Sequence, residues 1–185
     1  MLWWPSEIPV LQNGSVTLRP LEDTDIDAVY RACQDPLIPQ FTRVVSPYSR
    51  EDAADFVRSS PFAFTERRAI QFAIESGVGN DKEFAGAISL HSIKLADHAA
   101  ELGYWMVPEF RDKNICSVAA ELLTEFGIGS IGFNRIEALV DHDNIASQKV
   151  LQKAGFEREG LLHKKVTKES GATVDMYIFA RISER

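Results

Sequence analysis

No stretch of this chain is apolar for more than a few residues, so nothing in it supplies the roughly 20-residue run of a membrane-crossing helix. Its first residues, Met1-Leu2-Trp3-Trp4-Pro5, lack the basic start and apolar run of an export signal, which predicts a cytoplasmic protein. Cysteine is scarce. Cys33 and Cys116 fall on different predicted helices with neither metal-ligand nor small-framework spacing, and both are expected to be reduced thiols. Basic residues are outnumbered, 20 Lys and Arg against 27 Asp and Glu, and a net charge of −7 excludes a general nucleic-acid binder, which needs a basic face. Any phosphate binding must be local, while an acidic surface favours a cationic acceptor such as an amine. His91, His98, His142 and His163 are scattered without zinc-ligand spacing, so no metal site is expected. A lysine-bearing glycine-rich loop and a nucleophile elbow are also missing, which argues against a phosphate-binding hydrolase.

What is present fits one globular domain over residues 1–185, with residues 1–12 as an N-terminal extension: the chain is 45% hydrophobic and 25% charged. Residues 15–21 alternate polar and apolar after the turn pair Asn13-Gly14 and read as a first strand. Asp23-Thr24 opens a helix whose Ile26, Val29, Tyr30 and Cys33 share a face, stopped by Asp35-Pro36. Residues 36–47 read as a loop and a candidate substrate lid. Ser49-Arg50-Glu51-Asp52 resembles a capping box and starts a second helix that Ser60-Pro61 is expected to end. Alternation marks strands at 69–75, 84–90, about 99–106 and 135–141, and two last strands bracket Ser170-Gly171. Ile115, Val118, Ala119, Leu122 and Phe126 recur at helical spacing, and Asn144 caps a further helix closing at Gly155. The order β-α-α-β-β-β-α-β-α-β-β implies an α/β fold with a mixed, largely antiparallel sheet of about 7 strands flanked by helices.

The segment 111–117 carries the chemistry. A helix's first turn offers unpaired N–H groups and the positive end of its dipole, a receptor for diphosphate. Arg111 and Lys113 add cations, Asp112 works slightly against them, and Asn114 can enter the left-handed backbone region that a nest of N–H groups requires.

These residues resemble the GNAT superfamily of N-acetyltransferases, and within it the RimJ/RimL type that acetylates ribosomal-protein N-termini. The likeness covers nearly the whole chain. It is carried by Glu101-Leu102-Gly103-Tyr104-Trp105 with Pro108 and Arg111, by Val140-Asp141 with Asn144, Ala146, Ser147, Val150, Leu151 and Gly155-Phe156, and by Val16-Thr17-Leu18-Arg19-Pro20-Leu21 with Asp25. Asp175 in the last strand also fits. The family's acetyl-CoA loop reads roughly Arg/Gln-x-x-Gly-x-Gly/Ala, and this chain departs from it with Asn114 and Cys116 at the small-residue positions. The resemblance implies splayed central strands, acetyl-CoA as cosubstrate and direct acyl transfer to an amine in a ternary complex. By the same likeness the pantetheine arm pairs with the backbone of Met106 and Val107, and the diphosphate lies on the amides of Arg111, Asp112, Lys113, Asn114, Ile115, Cys116 and Ser117.

Direct transfer needs a neutral amine, whereas an α-amino group titrates at about 7.7–8.0 and lysine at about 10.4, so a base helps. Glu101 is the expected base, lying in the strand whose far end would hold the thioester. Ser147, one turn after Asn144, would protonate the departing thiolate, and Asn144 would cap its helix and touch the cofactor arm. The expected acceptor is a protein N-terminus, with a small-molecule amine and a noncatalytic acyl-CoA-binding module as alternatives. Trp3 and Trp4 are expected either to pack on the domain or to form a homodimer contact.

Overall fold

A computed structural model describes residues 2–168 and 171–184; Met1, and Ser170 of the expected last turn, lie outside the described residues. The strands are β1 (Leu11–Asn13), β2 (Val16–Arg19), β3 (Ile70–Ser76), β4 (Glu83–Lys94), β5 (Ala99–Met106), β6 (Arg135–Asp141), β7 (Glu157–Thr167) and β8 (Thr173–Ile182). The helices are α1 (Ile26–Ala32), α2 (Leu37–Phe41), α3 (Arg50–Thr65), α4 (Ile115–Glu125) and α5 (Ile145–Lys153). One eight-stranded sheet runs in the order β1-β2-β3-β4-β5-β6-β8-β7. Among the described residues, only β5 and β6 pair in parallel, and the other neighbours are antiparallel.

The sheet buries both faces. Leu123 of α4 and Leu151 of α5 pack with Ile88, Leu90, Ile136 and Phe179 in the main core, while Val29 of α1, Ile38 of α2 and Val57 of α3 form the second. Arg19 knots the opening of the chain together: it pairs with Asp25 and with Glu75, both at 2.7 Å, and its side chain is only 18% exposed.

The mixed, largely antiparallel sheet is as expected, and its eight strands include a three-residue β1 too short to show a period. Two local expectations need correction. Residues 36–47 are not wholly a loop, since α2 lies within them. Ser60-Pro61 does not end α3. An interior proline costs about 3 kcal/mol through its missing N–H and ring clash. Continuing the helix carries Phe64 into the main core, where Trp4 stacks on it at 5.4 Å, and that burial offsets the cost.

Other local signals hold. Ser49 and Asp52 form a reciprocal capping box, Asn144 Oδ1 accepts the Ser147 N–H at 3.0 Å, and Gly155 follows α5 at φ +79°. α4 ends in a π-turn at Phe126–Ile131, where a side chain on Gly127 would meet Ile136 Cδ1 at 2.7 Å, so a bare backbone face is what lets the turn sink onto the sheet. Trp3 N–H bonds Ile131 O at 2.9 Å, and the Trp4 ring packs against its own domain.

Candidate active site

Pairing between β5 and β6 stops at Glu101 and Glu137, while β5 stays bonded to β4 as far as Met106. Beyond Glu101 the two strands part, and the edge of β5 from Leu102 to Met106 faces an open gap. A cleft of ≈ 1760 Å³ opens there, lined on one side by α2, the 42–48 loop and β4, and on the other by the start of α4 and by α5. Single small-molecule sites occupy about 300–1,000 Å³, so this one has room for two reactants. The N–H of Val107 is bonded to Ala85 O of β4 at 2.9 Å and so points away from the gap, a correction to its expected pairing with a cofactor arm. Strand alternation turns Met106's groups the other way, toward the gap.

The turn before α4 has the backbone expected of an anion receptor. Asp112 and Asn114 both lie in the left-handed region, at φ +58° and +62°, and no side chain caps the helix or puts an acid in its first turn. The early N–H groups of Ile115, Cys116 and Ser117 therefore remain for a ligand. Ile115 and Cys116 bury their side chains in the main core, and desolvation pushes the Cys116 thiol up to about 12. Uncharged at neutral pH, it does not repel an anion.

The cations differ from expectation. Arg111 is engaged elsewhere: its Nη2 pairs with Asp35 and donates to Met106 O at 2.9 Å, and its Nε approaches the same oxygen at 3.3 Å. A carboxylate and a strand-end carbonyl thus compete for it. Lys113 lies over the Phe110 ring at 5.4 Å and does not line the cleft. Lys153, which sequence reasoning missed, reaches the turn instead, with Nζ 3.3 Å from Asn114 Oδ1. The available signal was Lys149 and Lys153 at helical i, i+4 spacing on the helix that carries Asn144 and Ser147; both line the cleft.

Across the gap, Tyr104 of β5 meets Ser147 of α5. Their hydroxyls are 2.8 Å apart, and Tyr104 also donates to the Ser147 carbonyl at 3.3 Å. Burial raises the tyrosine's pKa, reinforced by nearby Cys116, so its proton stays on. Tyr104 is a second missed residue, since a strand tyrosine beside Trp105 reads first as packing.

Glu101 differs from Tyr104 by three positions and so projects from the opposite sheet face. It is half-buried, lies directly across from His91 of β4 in the antiparallel register, and sits beside Glu137, which Arg135 neutralises at 2.6 Å. Near the other end of the cleft, Asp141, His142 and Asp143 bring ligand atoms within 4.8 Å of one another, closer than the histidine spacing implied. Asp141 already accepts the Asp143 N–H at 3.0 Å.

A parted pair of central strands beside an uncapped, left-handed helix start suits a transferase that binds acyl-CoA. Residues 15–157 match the Acetyltransferase (GNAT) domain, and the chain belongs to that family. It is thus an acyl-CoA N-acyltransferase with acetyl-CoA as its acyl donor. It is 27% identical over 177 residues to the N-acetyltransferase YoaA of Bacillus subtilis (strain 168), covering 96% of this chain and 98% of that one. Spermidine N(1)-acetyltransferase of Escherichia coli (strain K12) is 28% identical over 152 residues, 81% of this chain and 77% of the relative. RimL, a ribosomal L7/L12 alpha-N-protein acetyltransferase solved in complex with coenzyme A, aligns with TM-score 0.82 at 20% identity over 95% of this chain and 99% of that one.

Proposed function

We propose that this enzyme acetylates a primary amine by direct attack within a ternary complex, and that its acceptor is a protein N-terminal α-amino group. The observation that carries the reading is the gap itself, which has a carboxylate on one sheet face and a protonated hydroxyl pair on the other. Glu101 belongs to the amine side, where its negative charge favours release of the proton that must leave nitrogen. Tyr104 and Ser147 belong to the sulfur side, where their hydroxyls donate to the departing sulfur and regain a proton from solvent. Bound acetyl-CoA supplies the thioester. The N–H groups of residues 115–117 with Lys153 would hold its diphosphate, and the Met106 backbone would hold its arm.

The acceptor reading is supported by chemistry as well as likeness. An α-amino group, titrating at about 7.7–8.0, asks less of a single carboxylate than a lysine or polyamine nitrogen does. Arg43 also lines the cleft near Glu101, while Lys168 lies 3.9 Å from Asp141 near the other end, so the lining carries charge of both signs. The relation to spermidine N(1)-acetyltransferase supports the second reading, a small-molecule amine.

A panel of peptides with free or blocked N-termini, lysine derivatives and polyamines, read by thiol release, separates these. Release that depends on a free peptide N-terminus is the expected result. A preference for polyamines would install the second reading, and silence across the panel with acetyl-CoA bound would overturn both.

A further inference from the structure

One titratable side chain on the amine side has no role in the scheme above. His91 of β4 lies directly opposite Glu101, and its ring extends over Gly103, the next residue of β5 on the same face. A methyl group built on Gly103 would stand 2.7 Å from His91 Nε2, so the absence of a side chain there is what gives the imidazole its place. Gly103 is also beyond the last paired position of β5 and β6, at the mouth of the gap. The ring therefore lies over a position of β5 nearer the parted end than Glu101 is.

The backbone around it is set to hold that pose. Register between β4 and β5 shifts just after His91, and Ser92 takes φ +50°, a left-handed conformation that costs a non-glycine residue about 1–3 kcal/mol. The irregularity brings Ser92 Oγ to 3.0 Å from His91 Nδ1. In the tautomer whose Nδ1–H donates to that hydroxyl, Nε2 is left as an acceptor beside Gly103 in the cleft lining, and among the described residues Nε2 makes no hydrogen bond. Three influences reach the ring: burial lowers its pKa, Glu101 of β5 opposes that by favouring imidazolium, and Arg43 of the 42–48 loop supports the lowering. At neutral pH the imidazole is a free base.

We propose that His91 Nε2 is the atom that takes the proton from the attacking amine, with Glu101 behind it as the counter-charge and Ser92 fixing the tautomer. This rests on the amine-acetylation reading above and deepens it. As the amine nitrogen bonds to the acyl carbon, an N–H proton moves to Nε2 and the C–S electron pair leaves on sulfur, which is protonated from the Tyr104–Ser147 side. The imidazolium then passes its proton to solvent. Glu101 is on this view a positioning residue rather than the base.

The test uses acetyl-CoA with the acceptor peptide found in the panel. His91→Ala is expected to lose about 10²-fold in kcat/KM, with acetyl-CoA affinity little changed, and added imidazole should restore turnover in proportion to its neutral fraction. Gly103→Ala is the second variant: its methyl displaces only the tip of a side chain, so the fold survives while turnover falls as in His91→Ala. In Glu101→Gln the acid limb of the kcat/KM profile should move to lower pH. An unchanged profile in His91→Gln, or a folded His91→Ala that imidazole does not rescue, would overturn the proposal and leave amine acetylation standing. Wild-type protein that releases thiol with no amine would instead remove the reading on which it rests.

Discussion

Removing one oxygen atom separates catalysis from packing at the sulfur side. Tyr104→Phe keeps the ring against the main core and deletes only the hydroxyl that lies 2.8 Å from Ser147 Oγ and 3.3 Å from its carbonyl oxygen. Leaving buried partners unsatisfied costs about 1–3 kcal/mol, and Ser147 keeps its cleft exposure, so the low end applies. At about 1 kcal/mol the melting temperature should fall by about 2–4 °C in a chain of this size. Losing a preorganised donor to a developing anion costs about 10²-fold in kcat, or about 2.7 kcal/mol of barrier. Turnover should therefore suffer far more than stability. Ser147→Ala should act similarly, and because the two hydroxyls work as a unit the double variant should be no slower than the slower single. Thiol release at saturating acetyl-CoA and acceptor measures all four proteins. A double variant that loses the product of the two single effects, or a Tyr104→Phe enzyme within about threefold of wild type, would refute the unit.

Three further outcomes follow from the geometry. Arg19→Ala strands the buried carboxylate of Asp25 and should lower stability by about 3 kcal/mol in urea denaturation; a change under about 1 kcal/mol would mean the network is replaceable. Burial pushes both Cys33 and Cys116 thiols up to about 12, so iodoacetamide at pH 8 should leave the folded protein unmodified by mass spectrometry, and rapid labelling of either would contradict their burial. His91 titrates below its ordinary value of about 6.5, so as pH falls the unfolded chain takes up that proton first and the native state loses stability from about pH 6.5 downward. His91→Gln should flatten that slope between pH 7 and 5, and superimposable slopes would show that burial does not hold the ring neutral.

The elements that frame the parted strands were legible because their signals are local. β5 matches its expected bounds through alternation alone, Asn114 takes the left-handed backbone its amide side chain tolerates, and Asn144 caps α5 as residue type and position require. The amine side was not. His91 faces Glu101 only through a hairpin register that shifts beside it, and no periodicity announces a shift. Arg111 and Asp35 are 76 residues apart, so the rival partner for the arginine was invisible in its own loop. Lys153 and Tyr104 were missed for a related reason: each depends on which neighbouring element its face meets, and that is settled by tertiary packing.

The bond from Asp35 to Arg111 ties the corner between α1 and α2 to the strand end beside the nucleotide turn. Movement of that corner therefore pulls on the strand end where Arg111 also holds the Met106 carbonyl. Changes in acceptor preference at α2 should therefore alter how quickly spent coenzyme escapes, and the two traits would evolve in harness.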